Sequence, residues 1–106
     1  MTEKTESDIL RSICEYLHLK GYFFWRSNNI PVYDIKRRCM RSMPKFSIKG
    51  VSDILLVVRG QLVCIEVKTP KGKQSDFQKE FERKVGENGG KYILATHIND
   101  IIENKI

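Results

Sequence analysis

Long apolar runs, cysteine pairs and histidine clusters are all missing from this sequence. No stretch approaches the roughly 20 apolar residues that a membrane-spanning helix needs, and residues 1–4 lack the apolar segment of a signal peptide. The three cysteines are odd in number and widely spaced, and the two histidines are isolated, so a zinc site is not expected. These absences predict a reduced, cytoplasmic chain without a disulfide framework.

The composition is that of one small, basic, folded domain spanning residues 1–106. Apolar residues make up 41% of the chain, which is typical of a globular protein and excludes a disordered one. The formal net charge is +6 and the isoelectric point is about 9.3. This balance favours a polyanionic partner, with nucleic acid as the first candidate and a membrane surface as the second.

The hydrophobic pattern predicts an α/β fold with the order αβββαβ. Helical periodicity covers residues 5–19 and 75–87, strands are predicted at 22–26, 51–58, 61–67 and 92–96, and a short helix at 98–103. Arg59 and Gly60 join the second and third of these strands as a hairpin. Both hairpin strands are apolar on both faces, which is typical of a covered central sheet. Residues 28–43 are predicted as a long loop, with a possible extra strand at 44–48.

Three charged residues interrupt the apolar hairpin strands. Asp53 lies seven residues before Gly60 and Glu66 lies six after it, so the two carboxylates are near cross-strand partners. Lys68 follows on the same face as Glu66. Because burying an ionised group costs several kcal/mol unless it is paired or binds a metal, these three charges indicate a functional site.

Two adjacent carboxylates repel each other unless a cation sits between them. Oxygen ligands without nearby His or Cys favour Mg²⁺ or Mn²⁺, and the backbone carbonyl of Val67 is a further candidate ligand. Such an ion can hold a phosphodiester oxygen and lower the pKa of a bound water, while Lys68 can orient that water or stabilise the transition state. The alternative is a strand-edge salt-bridge set of Asp53, Glu66 and Lys68.

Glu6 and Gln78 are two further candidates, each with an ordinary structural alternative. Glu6 lies on the apolar face of the first helix and could complete the metal shell. Alternatively, its negative charge could simply interact favourably with the helix dipole at the N-terminus of that helix. Gln78 could reach the site with its amide, or it could be occupied locally in a capping box with Ser75.

Basic residues flank the carboxylate pair on both sides in sequence. They are Lys36, Arg37, Arg38, Arg41, Lys45 and Lys49 on one side, and Lys71 and Lys73 on the other. They can neutralise DNA phosphates around a scissile bond, although a charge run is usually a solvated face. Tyr33 and Trp25 could stack on exposed bases or serve ordinary packing.

Several short motifs follow one another in a defined order along the chain. They are Gly50-x-x-Asp53, Ile65-Glu66-Val67-Lys68, Ser75-x-x-Gln78 with Phe81, and Gly89-Gly90, preceded by the Glu6 helix, Tyr16-Leu17, Gly21 and Phe24-Trp25-Arg26 with Asn28. Together they resemble the virus-type replication-repair nuclease (VRR-NUC) family of the PD-(D/E)XK nuclease superfamily. The sequence departs from the superfamily signature at Ser52, where a proline is often found.

The resemblance implies a restriction-endonuclease-like mixed sheet flanked by helices and a Mg²⁺- or Mn²⁺-dependent cut of DNA. In that family pattern Asp53 and Glu66 would bind metal, Lys68 would be catalytic, and Glu6 and Gln78 would assist. Small stand-alone members, as in phages, resemble dimeric Holliday-junction resolvases, so a homodimer acting on four-way junctions is expected. A flap, nick or restriction-like nuclease and a non-catalytic DNA-binding module remain the alternatives.

Overall fold

The computed structural model describes residues 4–27, 33–40, 45–104 and 106. The helices are α1 (Glu6–Leu19), α2 (Asp76–Glu87) and α3 (Ile98–Glu103), and the strands are β1 (Phe23–Arg26), β2 (Tyr33–Asp34), β3 (Cys39–Met40), β4 (Ile54–Val58), β5 (Gln61–Val67) and β6 (Lys91–Ala95). None of the described helices has the length and apolar character to cross a membrane.

A four-stranded mixed sheet with the order β1-β4-β5-β6 organises the chain. The β1–β4 and β4–β5 pairs are antiparallel, and β5 and β6 are parallel. The β4–β5 turn uses Arg59 and Gly60, both with positive φ, as expected for a two-residue hairpin. The parallel pair requires a crossover, and α2 provides it. With α1 before β1, the order of the main sheet and its helices is the predicted αβββαβ, and the α/β fold class is confirmed.

The sheet is covered on both faces, which explains its apolar strands. On one face Val63, Ile65 and Val67 of β5 pack in a core with helices α1 and α3. On the other face Cys64 packs with Phe81 and Val85 of α2. The alternation predicted for β5 is therefore confirmed, and it places Glu66 on the α2 side of the sheet.

Both long helices begin at a capping box. Thr5 caps α1 with Asp8, and Ser75 caps α2 with Gln78. In α1 the residues at helical spacing, Ile9, Ile13 and Leu17, are buried, and each contributes roughly 1.5–3 kcal/mol through removal of its side chain from water.

Two sequence expectations fail. Residues 45–48 form a turn and irregular backbone instead of the strand predicted at 44–48. Within the loop predicted at 28–43, residues 33–40 form a small hairpin of β2 and β3 that the pattern did not indicate, and the rest of that range lies outside the described residues.

Phe77, which the helical spacing groups with Phe81 and Val85, is 58% exposed. The first turn of α2 meets the backbone of the Gly50 loop, and only the later turns reach the core of the sheet.

Gly50 allows the loop before β4 to pass directly against the start of α2. A Cβ atom at Gly50 would lie 2.4 Å from the carbonyl carbon and oxygen of Phe77 and 2.7 Å from the amide nitrogen of Gln78. Gly50 also has a φ of +81°, a region that L-residues with a side chain rarely adopt. The loop that leads to Asp53 is thereby held against the helix that carries Gln78.

We expect Gly50→Ala to destabilise the fold by about 3 kcal/mol, because it combines backbone strain with a clash that neither backbone segment can avoid. Gly60→Ala is the matched control, since Gly60 has a φ of +82° and nothing within 4 Å of the added Cβ. Its expected loss of about 1 kcal/mol measures the strain alone. Urea unfolding of both variants gives the difference, and equal losses would contradict the close packing at Gly50.

Candidate active site

Asp53 is fixed immediately before β4, at the end of the hairpin farthest from its turn. The register pairs Ile54 with Ile65, so one further step sets Asp53 beside Glu66. The backbone amide of Val67 donates a hydrogen bond to Asp53 Oδ2 at 2.8 Å, and the amide of Ser27 donates to the Asp53 carbonyl at 3.0 Å. The half-buried carboxylate is thus held from β5 and from the end of β1.

Glu66 lies in β5 with only 3% of its surface exposed. Its Oε1 accepts a hydrogen bond from Gln78 Nε2 at 3.0 Å and lies 3.8 Å from Lys68 Nζ. Its Oε2 is buried and has no hydrogen-bond partner among the described residues. Since buried polar atoms are nearly always satisfied, this oxygen either shares a proton with the neighbouring Asp53 carboxylate, which contributes to the raised pKa of Glu66, or binds a ligand.

Burial, as the largest cause, and the negative charge of Asp53 together raise the pKa of Glu66 to about 8. The ammonium of Lys68 acts in the opposite direction but does not offset these effects. A carboxyl group in this setting keeps its proton at neutral pH because the charged form lacks sufficient compensation. A divalent cation beside Glu66 would supply that compensation.

The arrangement fits a hard divalent cation held mainly by oxygen. Asp53 and Glu66 are adjacent, and Glu66 Oε2 is unpartnered within the described residues. Where the structure describes the chain, no group of three or more His, Cys, Asp or Glu side chains converges. Two carboxylates suffice for Mg²⁺, which usually keeps several waters and binds one or two protein carboxylates together with substrate phosphate.

Lys68 emerges from the end of β5 beside Glu66. Its backbone amide donates to the carbonyl of Ala95 at 2.9 Å, which extends the pairing with β6. The following loop turns back at Gly72, whose amide donates to the Thr69 carbonyl at 2.9 Å. A Cβ at Gly72 would lie 3.4 Å from Lys68 Cβ and Cδ, so this turn packs along the aliphatic part of the lysine.

Gln78 performs both of the roles that the sequence left open. Its Oε1 accepts a hydrogen bond from the Ser75 amide at 2.8 Å, while its Nε2 donates to Glu66. The Ser75 hydroxyl accepts from the Gln78 amide at 3.2 Å and completes the capping box. A glutamine can do this because its acceptor and donor are separate atoms. The start of α2 is consequently tied to the position of the Glu66 carboxylate.

Glu6 lies in the first turn of α1 and is exposed. Its charge contributes to the raised pKa of Glu66 as the weakest of the influences on that group. No hydrogen bond from Glu6 to the other candidate residues is described, so its membership in a metal shell stays a prediction.

The basic residues that flank the candidate site in sequence lie on the surface where the structure describes their side chains. The exposed ones among them are Lys36, Arg37, Arg38, Lys45, Lys49, Lys71 and Lys73. Arg41 and the side chain of Tyr33 lie outside the described residues. Lys49 directly precedes Gly50 in the loop before β4, and Lys71 follows Lys68 in the loop after β5, so these two flank the candidate site residues in sequence. Trp25 is 42% exposed and packs against Phe23 with ring centroids 5.6 Å apart.

Sequence reasoning did not identify the role of Ser52 beyond its departure from the family signature. Ser52 is fully buried, and its hydroxyl donates to the Ile54 carbonyl at 3.1 Å. The Ser27 hydroxyl donates to the Ser52 carbonyl at 2.6 Å. These bonds fix the backbone next to Asp53. The sequence signal for this role of Ser52 is that a small polar residue directly precedes a candidate ligand in an apolar segment.

Comparison with solved structures finds the same fold in a protein described as "VRR_NUC domain protein". The TM-score is 0.72, the sequence identity is 17%, and the match covers 98% of this chain and 87% of the other. At this identity the likeness establishes a shared fold. No family model matches the sequence. No curated protein matches it either.

We expect the metal-free protein to lose stability as the pH rises from about 5 to about 8. The folded pKa of Glu66, about 8, is above the ordinary value of 4.5, so across this window the folded state binds more protons than the unfolded state. The free energy of unfolding then falls by up to about 1.4 kcal/mol per pH unit. Urea unfolding in the presence of a chelator measures this slope.

Glu66→Gln, which resembles the protonated side chain, should remove most of this pH dependence. Glu103→Gln, at an exposed position of α3, is the matched control and should leave the slope unchanged. A wild-type slope in Glu66→Gln would show that another group is responsible.

Proposed function

We propose that this chain, which shares the fold of a VRR_NUC domain protein, is a divalent-metal-dependent endonuclease acting on branched DNA. The observation that carries the proposal is the adjacency of two carboxylates to a lysine held at the same strand end, where one carboxylate has a buried oxygen without a partner among the residues that the structure describes. The positive net charge of +6 and the basic residues around the site suit a DNA substrate. The free thiols of Cys14 and Cys64 suit a reducing compartment, which we propose is the cytoplasm.

Asp53, Glu66 and the backbone carbonyl of Val67 are the groups that would hold Mg²⁺ or Mn²⁺, with Glu6 as a fourth candidate. When bound, the cation supplies positive charge to the scissile phosphate and lowers the pKa of water. Asp53 enters this arrangement already oriented by the Val67 amide. Gln78 holds one oxygen of Glu66 and leaves the other for the ion, so little reorganisation is needed on binding.

Lys68 is the proposed catalytic residue. Its ammonium can stabilise the additional negative charge that develops on the phosphate in the transition state, or orient the attacking water. The side chain is 15% exposed, so the charge is partly removed from bulk water and acts over a short distance with little screening.

A homodimer follows from the proposed substrate. A four-way junction has two equivalent strands to cut, and a chain with one site needs a two-fold dimer to cut both. The basic residues on either side of each site would contact phosphates flanking the scissile bond.

We expect the wild type to nick four-way junctions in Mg²⁺ or Mn²⁺, and Lys68→Ala to lower the cutting rate by at least about a hundredfold. Affinity for the junction should change little, because one of many cationic contacts is lost. Single-turnover cleavage of labelled DNA and a binding titration in Ca²⁺ separate these two effects.

Lys84→Ala removes the same charge from an exposed position in the last turn of α2 and is the matched control. Cutting by Lys68→Ala at the wild-type rate would overturn the assigned role.

The same cleavage assay, run on flaps, nicked duplex, single strands and linear duplex, identifies the DNA structure that the protein prefers. Paired symmetric nicks confined to junctions support a resolvase, whereas equal cutting of flaps or linear duplex supports the alternative nuclease classes.

Metal binding gives a test that does not depend on the substrate. We expect calorimetry to show heat for Mn²⁺ with the wild type and little or none with Asp53→Asn, which keeps the size of the side chain but removes its charge. Asp76→Asn, at the exposed first turn of α2, is the control and should bind Mn²⁺ normally. Absence of Mn²⁺ binding by the wild type would favour a non-catalytic DNA-binding module.

A further inference from the structure

Phe77 is a large apolar side chain in an unusual place. It lies in the first turn of α2, and its side chain is 58% exposed although the same helix buries Phe81 and Val85. Its backbone is fixed, because Gly50 packs against its carbonyl group. The ring therefore projects from a rigid segment and contributes little to the core.

Lys49 accompanies this ring. Its Nζ lies 5.0 Å from the centroid of Phe77, within the range of a cation–π contact. Lys49 is joined to Gly50, so the close approach of the loop to α2 also sets the position of the lysine. An exposed aromatic ring and an ammonium group are thus placed side by side, and each is carried by constrained backbone.

This pair is directly connected to the candidate active site. The residue after Phe77 is Gln78, whose amide contacts Glu66, and the loop after Gly50 leads within three residues to Asp53. A DNA strand with its phosphate at the carboxylates would have neighbouring nucleotides within reach of Phe77 and Lys49. The other exposed aromatic pair, Phe23 and Trp25 on β1, has no cation–π contact within the described part of the chain.

We propose that Phe77 stacks on the face of a base exposed at the branch point of the DNA, while Lys49 pairs with a phosphate of the same strand. Bases within a continuous duplex are stacked on both faces and offer no free surface, whereas a branch point exposes a base for stacking on an aromatic ring. This inference rests on the proposed function and gives it a physical cause of selectivity for branched DNA.

The pair makes two separable contributions. Stacking requires the aromatic face and should act only where a base is accessible, so Phe77→Leu should weaken junction binding by about tenfold and leave linear duplex unchanged. Phe77→Trp keeps an aromatic face and should retain tight binding. Lys49→Gln should weaken binding to both substrates and lower the slope of log affinity against log salt by about one.

The decisive experiment uses a four-way junction with 2-aminopurine at the branch point, titrated with protein in Ca²⁺ so that binding is observed without cutting. Stacking on Phe77 should quench the fluorescence of the wild-type and Phe77→Trp complexes, and the signal should stay high with Phe77→Leu at saturating protein. Phe23→Leu is the matched control, because Phe23 is 71% exposed on β1, and it should behave as the wild type.

Wild-type affinity and quenching in Phe77→Leu would overturn the stacking role. The nuclease proposal would still stand if the wild type cuts junctions and Lys68→Ala does not. Conversely, quenching that depends on Phe77 in a protein that cuts no DNA would support the stacking contact and overturn the nuclease.

Discussion

The hydrogen bond from the Val67 amide to the Asp53 carboxylate is the interaction on which the candidate site depends. The donor is a backbone amide of β5 at the point where pairing with β4 ends. The Asp53 side chain therefore continues the hydrogen bonding between the two segments beyond the last backbone pair. Glu66 directly precedes Val67 in the chain, and Lys68 directly follows it. Sheet geometry therefore brings two carboxylates and an ammonium together at one strand end, without a long flexible loop to position any of them.

Helix α2 adds a second constraint, because its N-terminal cap and the site share a side chain. Gln78 satisfies the Ser75 amide with its oxygen and Glu66 with its nitrogen. A displacement of the first turn would break the cap and release the carboxylate at the same time. The packing of Gly50 on the same turn connects the loop before Asp53 to this helix. Both carboxylates are thus positioned relative to one short stretch of α2, which a site on independent loops would not achieve.

The sequence predicted those parts of the structure that depend on short-range rules. The Arg59-Gly60 turn fixes the hairpin register, so counting residues from it was enough to pair Asp53 with Glu66. Apolar periodicity, with the Ser75–Gln78 capping box for α2, located α1 and α2 within a residue of their observed starts. The strand expected at 44–48 was wrong, and the exposure of Phe77 was not predicted, because both depend on how a loop meets a helix. The sequence could not show that Gln78 has both roles, because the same residue fits a capping box with Ser75 and a position whose amide reaches the site.

The electrostatics of Glu66 also bear on whether these charges form only a salt-bridge set. In a well-matched buried pair, the opposite charge would hold the pKa of the carboxyl at or below its ordinary value. Here Lys68 is 3.8 Å from one oxygen, the other oxygen is unpartnered within the described residues, and the pKa remains raised to about 8. The lysine is therefore too weak a counter-charge for Glu66. A divalent cation would supply the missing charge and a ligand for the free oxygen, and it would leave the ammonium available for a phosphate.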